Sequence, residues 1–509
     1  MRTYTAFLFF AILAVVLPIT AQQQFVSPAL DNPSFENNSE PYCPTVPSEA
    51  QLSWLRNFQQ NLERTNLEVL SNARRAGGAD YYIPVQVHII GNDDGKGYLR
   101  HQLFLDAICK LNDDFASAGF HFYLNLPLDY IDNTDYHDQD FSAGGAMIIG
   151  NNVPGAVNLY YVYQIGEGTI AGYFSPGADG LVMAQSASAP GSNTLPHEFG
   201  HFFSLPHTFF RWEYGTPSPS QQEWVDGSNC STAADGFCDT PPDYAPFRWT
   251  CPMVGPFTDP DGASFTVTDS FFMSYAGNSC RDRFSPEQDA AMRGYLTGVH
   301  PDLIGSSNPY FPNGYDSVKL ATPLDNETEV LPIGGLFSWS TVPDAVAYHV
   351  SIGFTSIFSA IIDEAIVTDT FWYATDLIED RLFYWKVKPL FEGNTCEPYT
   401  DSRIFRTGIN PPPATGLEEF ELENDVQIFP HPVIASSTAN IELNLKEAGN
   451  YNFEWLDVSG RSIQSFNTEL SAGAQNLTIE IPSVDQGLYL LKLTSESGAL
   501  IRKVLIAEN

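Results

Sequence analysis

The residues whose types and spacing carry chemistry lie in Thr194-Leu195-Pro196-His197-Glu198-Phe199-Gly200-His201-Phe202-Phe203-Ser204-Leu205-Pro206-His207. On a helix, His197 and His201 stand one turn apart and point the same way, so both imidazoles reach one ion. Glu198, one residue on from the first, lies beside that ion and serves a bound water as base. With His207 as a third ligand, a tetrahedral zinc keeps its fourth position open for water, as catalytic sites require. Zinc lowers the pKa of that water towards 7 and polarises a peptide carbonyl, while Glu198 takes the proton and passes it to the leaving amine. The chemistry expected is hydrolysis of peptide bonds.

Those side chains meet only if the chain turns sharply after His201, because His207 is too far on for a continuing helix. The extended pattern H-E-x-x-H-x-x-G-x-x-H places glycine at that turn, where a left-handed conformation costs it little. Ser204 stands there instead, at a cost of about 1–2 kcal/mol if left-handed. Pro206 disfavours helical geometry at Leu205 and lacks an amide hydrogen, which helps to end the helix. Upstream, Gly180-Leu181-Val182-Met183-Ala184 reads as a strand. It is either an edge along which an extended peptide adds itself or a strand buried on both sides. Strands are also expected at Tyr82–Ile90 and Ala156–Tyr163. A helix at Leu103–Leu111 carries Cys109 as a buried apolar thiol.

The motif with its third histidine resembles the metzincin metalloproteases. Leu111-Asn112-Asp113-Asp114-Phe115, Asp239-Thr240-Pro241-Pro242, Phe272-Met273-Ser274-Tyr275 and Cys280-Arg281-Asp282-Arg283-Phe284-Ser285-Pro286-Glu287-Gln288 narrow the resemblance to the pappalysin, or cytophagalysin, family. It covers about residues 80–300. The resemblance implies zinc ligands His197, His201 and His207, with Glu198 as general base and later proton donor. It implies Met273 as the apolar Met-turn floor beneath the metal, and Tyr275 as the tyrosine that approaches zinc or stabilises the oxyanion. It also implies calcium at the oxygens of Asp235, Asp239 and Thr240, for which a solvated acidic loop is the other reading. Cys43 is a candidate cysteine switch whose thiolate occupies the open zinc position until cleavage near Arg74-Arg75. Pro44 follows it where the family commonly has glycine, and a disulfide or an idle thiol is the competing reading.

The rest of the chain sets the context. Lys plus Arg number 24 and Asp plus Glu 61, a net charge of −37 over 509 residues. Phosphate backbones and anionic lipids would repel such a chain, so no nucleic-acid partner is expected. Met1-Arg2, the apolar run Phe7 to Leu17 and small residues before Gln22 read as a signal peptide over 1–21, too short to span a membrane. No later segment reads as transmembrane, so the product is expected to be secreted or surface-attached. Residues 22–75 form a pro-segment with one helical stretch around Leu52–Phe58. Seven cysteines leave at least one unpaired or paired with another molecule. Cys230, Cys238, Cys251 and Cys280 cluster as two disulfides in any of three pairings, while Cys43, Cys109 and Cys396 lie apart.

After a linker at 306–314, residues 317–407 show short alternating runs such as Leu336–Ser340, Tyr348–Ile352 and Phe383–Val387. They resemble a fibronectin type III-like sandwich. Pro411-Pro412-Pro413 marks a second linker. Residues 423–509 resemble the C-terminal sorting domain of the type nine secretion system, on Ile428-Phe429-Pro430-His431-Pro432, Asp457-Val458-Ser459-Gly460-Arg461, Gln486-Gly487-Leu488-Tyr489 and Lys503-Val504. His431 stands where that family usually has asparagine. The resemblance implies recognition by the secretion machinery and removal at the outer membrane. The expected organisation is multidomain: an α+β metzincin-like zinc protease domain over 76–305, then two all-β sandwich-type domains, acting on protein or peptide substrates. The alternative is a surface adhesion or binding protein whose metzincin fold has lost activity, with Ser204 as its first symptom. Intact His197, Glu198, His201, His207 and Tyr275 argue against it.

Overall fold

Ile83, Val85, Val87, Ile89 and Ile90 are all fully buried, as a strand with neighbours on both edges and layers on both faces requires. In the computed structural model this strand, β1 (Tyr81–Gly91), pairs in parallel with β2 (Phe120–Asp132) on one side and β3 (Val157–Val162) on the other. The sheet continues with β4 (Gly172–Ser175) and β5 (Gly180–Ala184). β5 is parallel to β3 and antiparallel to β4, giving the order β2-β1-β3-β5-β4. Gly180–Ala184 is therefore an interior strand and Gly172–Ser175 the edge. A tight turn, in which the Ala178 and Asp179 amides donate to Ser175 O, folds β4 back over the free side of β5.

The structure describes residues 43–62, 80–214, 216–244, 252, 256–304, 309, 317–375, 377–409, 427–429, 433–445, 447–457, 461–484, 486–495 and 498–507. The expected signal peptide, Arg74-Arg75, Cys251, Pro411–Pro413 and His431 lie outside the described residues.

Helix α1 is Glu49–Leu62, in the expected pro-segment. α2 (His101–Asp114) buries Phe104, Leu105, Ile108 and Leu111, a stripe at helical spacing. α3 (Phe141–Asn151) places Met147 and Ile148 in one core cluster with Tyr160 and Val182. α4 (Thr194–Phe202) carries the histidine motif, and α5 (Pro286–Gly298) closes the first unit. Behind α4, the rings of Phe115, Phe120, Phe122, Phe199, Phe203 and Phe284 pack with centroids 4.7 to 6.4 Å apart. So many buried rings fix the back of the helix rigidly.

Cys109 is not a free thiol. It lies off the buried stripe of α2 and is disulfide-bonded to Cys396, 287 residues away. Nothing in local spacing signals a partner so distant. Residues Glu392–Cys396 belong to the first compact unit, with the chain up to Phe311. Cys230 bonds Cys238, and Cys280 is also disulfide-bonded. Cys43 is the free cysteine among the described residues.

The second unit is all β. The module from Leu320 to Thr407 pairs a three-stranded with a five-stranded sheet around Phe337, Tyr348, Trp385 and Phe405. The module from Gln427 to Ala507 does the same around Ile441, Trp455 and Val504. Thr438–Leu445 alternates exposed and buried residues, the mark of a strand with one face on a core. The fold class is thus an α+β N-terminal region followed by β-rich modules.

Candidate metal centre

Helix α4 ends in a Schellman motif. The Ser204 amide donates to His201 O at 3.0 Å and the Leu205 amide to Gly200 O at 2.9 Å. Ser204 has φ 75°, the left-handed conformation expected at this position. Its hydroxyl is buried with no hydrogen-bond partner among the described residues. The reversal brings His207 back beside the helix, where the Thr208 amide is held by Met273 O at 3.1 Å.

The three imidazoles converge. His197 Nε2 lies 3.2 Å from both His201 Nε2 and His207 Nε2, and the last two are 3.1 Å apart. Each opposite nitrogen is anchored. His197 Nδ1 faces Phe272 O at 2.7 Å, His201 Nδ1 faces Leu205 O at 2.8 Å and His207 Nδ1 faces Glu213 Oε1 at 2.9 Å. These partners fix the tautomer that turns every Nε2 lone pair inward. Burial, with repulsion from neighbouring cations, holds His197 and His201 well below the ordinary imidazole value and His207 at about 3. Neutral imidazole is the ligand form. Tetrahedral zinc at ordinary Zn–N lengths sets its nitrogens about 3.3 Å apart. The donor set and its spacing fit that ion.

Surrounding residues shape the cluster. A Cβ at Gly200 would overlap Met273 Sδ, so the helix turn between the two histidines is cut away to seat that methionine. Tyr275 is buried, its ring 4.9 Å from that of His207. Arg281, also buried, donates from Nη1 to Phe272 O and from Nη2 to Asn278 Oδ1 at 2.9 Å. Glu198 is fully buried, with Oε1 lacking any partner among the described residues. Burial pushes its carboxyl up to about 8, against the charge of Arg281 and the donors around Oε2.

Those donors are Cys43 and Thr45, in the expected pro-segment. Cys43 Sγ falls within one group with the three histidine nitrogens, all ligand atoms within 4.8 Å of one another. The thiol donates to Glu198 Oε2 at 3.2 Å, and the Tyr275 hydroxyl donates to Cys43 O. The Phe174 amide on edge strand β4 donates to Thr45 Oγ1 at 2.9 Å. The Thr45 hydroxyl in turn lies 3.3 Å from both Phe174 O and Glu198 Oε2. Burial, then the Glu198 charge, raises the Cys43 pKa.

The candidate calcium residues lie elsewhere. Asp235 and Thr240 are buried and hydrogen-bonded to each other. Asp239 accepts from Ser285 Oγ at 2.6 Å and from the Glu287 amide at 2.8 Å, which ties its carboxylate to the N-terminus of α5. The roles of Glu213, Arg281 and Thr45 carry no signal in the sequence, although Arg281 falls within the Cys280–Gln288 segment that carries the resemblance. Each acts through a partner its local pattern does not reveal.

Residues 177–297 match the family described as pregnancy-associated plasma protein-A, a metallopeptidase family. The chain carries a pappalysin-type metalloprotease domain. Residues 427–507 match the secretion system C-terminal sorting domain. An extracellular metalloprotease of Colletotrichum graminicola is 27% identical over 239 residues, 43% of this chain and 78% of its own. Extracellular metalloprotease 1 of Coccidioides posadasii is 26% identical over 42% of this chain and 78% of its own. Among solved structures, the fibronectin(III)-like modules of Clostridium thermocellum CbhA cover 38% of this chain and 94% of theirs at 10% identity, with a TM-score of 0.15, too low to argue from. The pappalysin-type domain, its extracellular relatives and the sorting domain together mark a secreted metalloprotease.

Proposed function

We propose that this chain is a zinc endopeptidase made in a latent form. The observation that carries the reading is three inward-facing imidazole nitrogens 3.1 to 3.2 Å apart, beside a buried glutamate. His197, His201 and His207 would hold the ion. Zinc there supplies Lewis acidity to the scissile carbonyl and to the attacking water. Glu198 takes the water's proton and hands it to the leaving amine. Tyr275, once its hydroxyl is free of Cys43 O, donates to the developing oxyanion, worth a few kcal/mol in the transition state. An extended substrate adds to edge strand β4, where the Phe174 amide and carbonyl face outward to Thr45 in the latent chain.

Latency in this reading rests on Cys43, whose thiol shares the histidine cluster and whose neighbour Thr45 occupies the edge of the sheet. Calcium, as the second ion, belongs to the oxygens of Asp235, Asp239 and Thr240, where a divalent cation would offset the repulsion of buried Asp235 by Asp239 and Asp243. The test is casein cleavage by the processed full chain with its zinc content measured. Glu198→Ala is expected to keep the zinc and lose about 10²–10⁴-fold in kcat. Cys43→Ala is expected to activate the unprocessed chain. A zinc-free protein that still cleaves casein would refute the reading.

A further inference from the structure

Helix α1 makes contacts that blocking the histidine cluster does not require. Ser48 and Gln51 form a capping box at its start, with the Ser48 amide donating to Gln51 Oε1 at 2.9 Å and the Gln51 amide to Ser48 Oγ at 3.2 Å. Gln51, Leu55 and Gln59, one turn apart, are all buried. Gln51 Nε2 donates to His201 O at 3.1 Å and Gln59 Nε2 to Gly236 O at 2.6 Å. On the flank of that face, the Trp54 ring meets Tyr295 edge-on at 4.9 Å.

The receiving surface is cut to match. α5 has a glycine at 294, inside the helix, where glycine is disfavoured. A Cβ at Gly294 would sit 2.8 Å from the Phe58 ring, closer than packed carbons come, and 3.4 Å from the Trp54 ring, whereas one at Gly298, the last residue of the helix, would make ordinary contact at 3.7 Å from Trp54 Nε1. The notch lies on the protease domain and its occupant on the pro-segment. Residues 43–62 thus hold two anchors, the latch at Cys43–Thr45 and the ring-in-notch helix, joined through Val46 and Pro47. Two linked anchors raise each other's occupancy far beyond either alone.

Resting on the latent-protease reading, we propose that residues 43–62 are a ligand of the mature domain in their own right. Cutting the chain at Arg74-Arg75 leaves them seated in the notch at Gly294 with the latch closed. Activation then needs a second cut or their dissociation, and the freed segment inhibits other copies. The probe is a synthetic peptide of residues 43–62 added to the chain that has been processed and separated from its own residues 22–75, so that it cleaves casein. The wild-type peptide is expected to inhibit, and a Trp54→Ala/Phe58→Ala peptide, which keeps Cys43, to be at least about tenfold weaker. A Cys43→Ser peptide is expected still to bind, read by Trp54 fluorescence. Equal potency of the wild-type and doubly substituted peptides would assign inhibition to the thiol alone and overturn the proposal, as would no inhibition by the wild-type peptide. If instead the unprocessed chain cleaves casein as fast as the processed one, it is the latency reading that fails.

Discussion

At the scale of single residues, Ser204 is the position where sequence and geometry pull against each other. It takes φ 75° and buries a hydroxyl without a partner among the described residues. Ser204→Gly removes both costs, less the extra freedom glycine gains in the unfolded chain. A net gain of about 1 kcal/mol is expected, read as a rise of about 2–4 °C in the melting temperature of the catalytic region. Glu213 is the opposite case, an unremarked carboxylate that orients His207 through Nδ1 at 2.9 Å. Glu213→Gln is expected to weaken zinc affinity about 10–100-fold, measured by competition with a chelator. The histidine motif was legible because a helix turns one-turn spacing into convergence. The roles of Thr45, Glu213 and Arg281 were not: Thr45 meets Phe174 and Glu198 from far along the chain, while Glu213 reaches His207 and Arg281 reaches Phe272 O only through irregular turns that have no periodic signature.

At the scale of elements, β1, β3, β5 and the helix bearing Cys109 were all readable from apolar runs and helical spacing. Which strand forms the edge was not. A five-residue apolar run looks alike in the middle of a sheet and at its rim, and only the return of β4 settles the order. The stretch around Asp235–Thr240 poses a similar problem, since its oxygens read as either a calcium site or a solvated acidic loop. Glu223 and Asp235 are in fact both buried. Burial, then repulsion from Asp235, Asp243 and Glu287, pushes the Glu223 carboxyl from 4.5 up to about 9. A raised carboxyl favours the fold while protonated, so its contribution is full below pH 4.5 and lost as pH rises towards 9. Glu223→Gln is expected to match the parent in melting temperature at pH 4 and exceed it by about 2–4 °C at pH 8, with no calcium added. Millimolar calcium is expected to close that gap if the proposed ion sits among these carboxyls, because the cation then stabilises their charged form.

At the scale of the whole molecule, catalysis and export are assigned to separate cores. The cluster around Trp455 and Ile441 is distinct from that around Trp385 and Phe337, and neither includes a residue of the histidine motif. The composition repeats this division, since the chemistry-bearing histidines are concentrated before residue 208 and the sorting motifs after 426. Removing residues 423–509 therefore takes away the sandwich of residues 427–507, which has its own core, and no residue that anchors the histidine cluster. In a host with the type nine secretion machinery, the truncated protein is expected to stay in the periplasm. Its catalytic region should melt at the parent temperature, and it should cleave casein once processed. Immunoblots of culture supernatant against periplasmic extract measure the first outcome. Calorimetry of the recovered protein measures the second. Appearance of the truncated protein in the supernatant at parental levels would show that export is specified elsewhere in the chain. A fall in the catalytic melting temperature would show that the two cores are coupled after all.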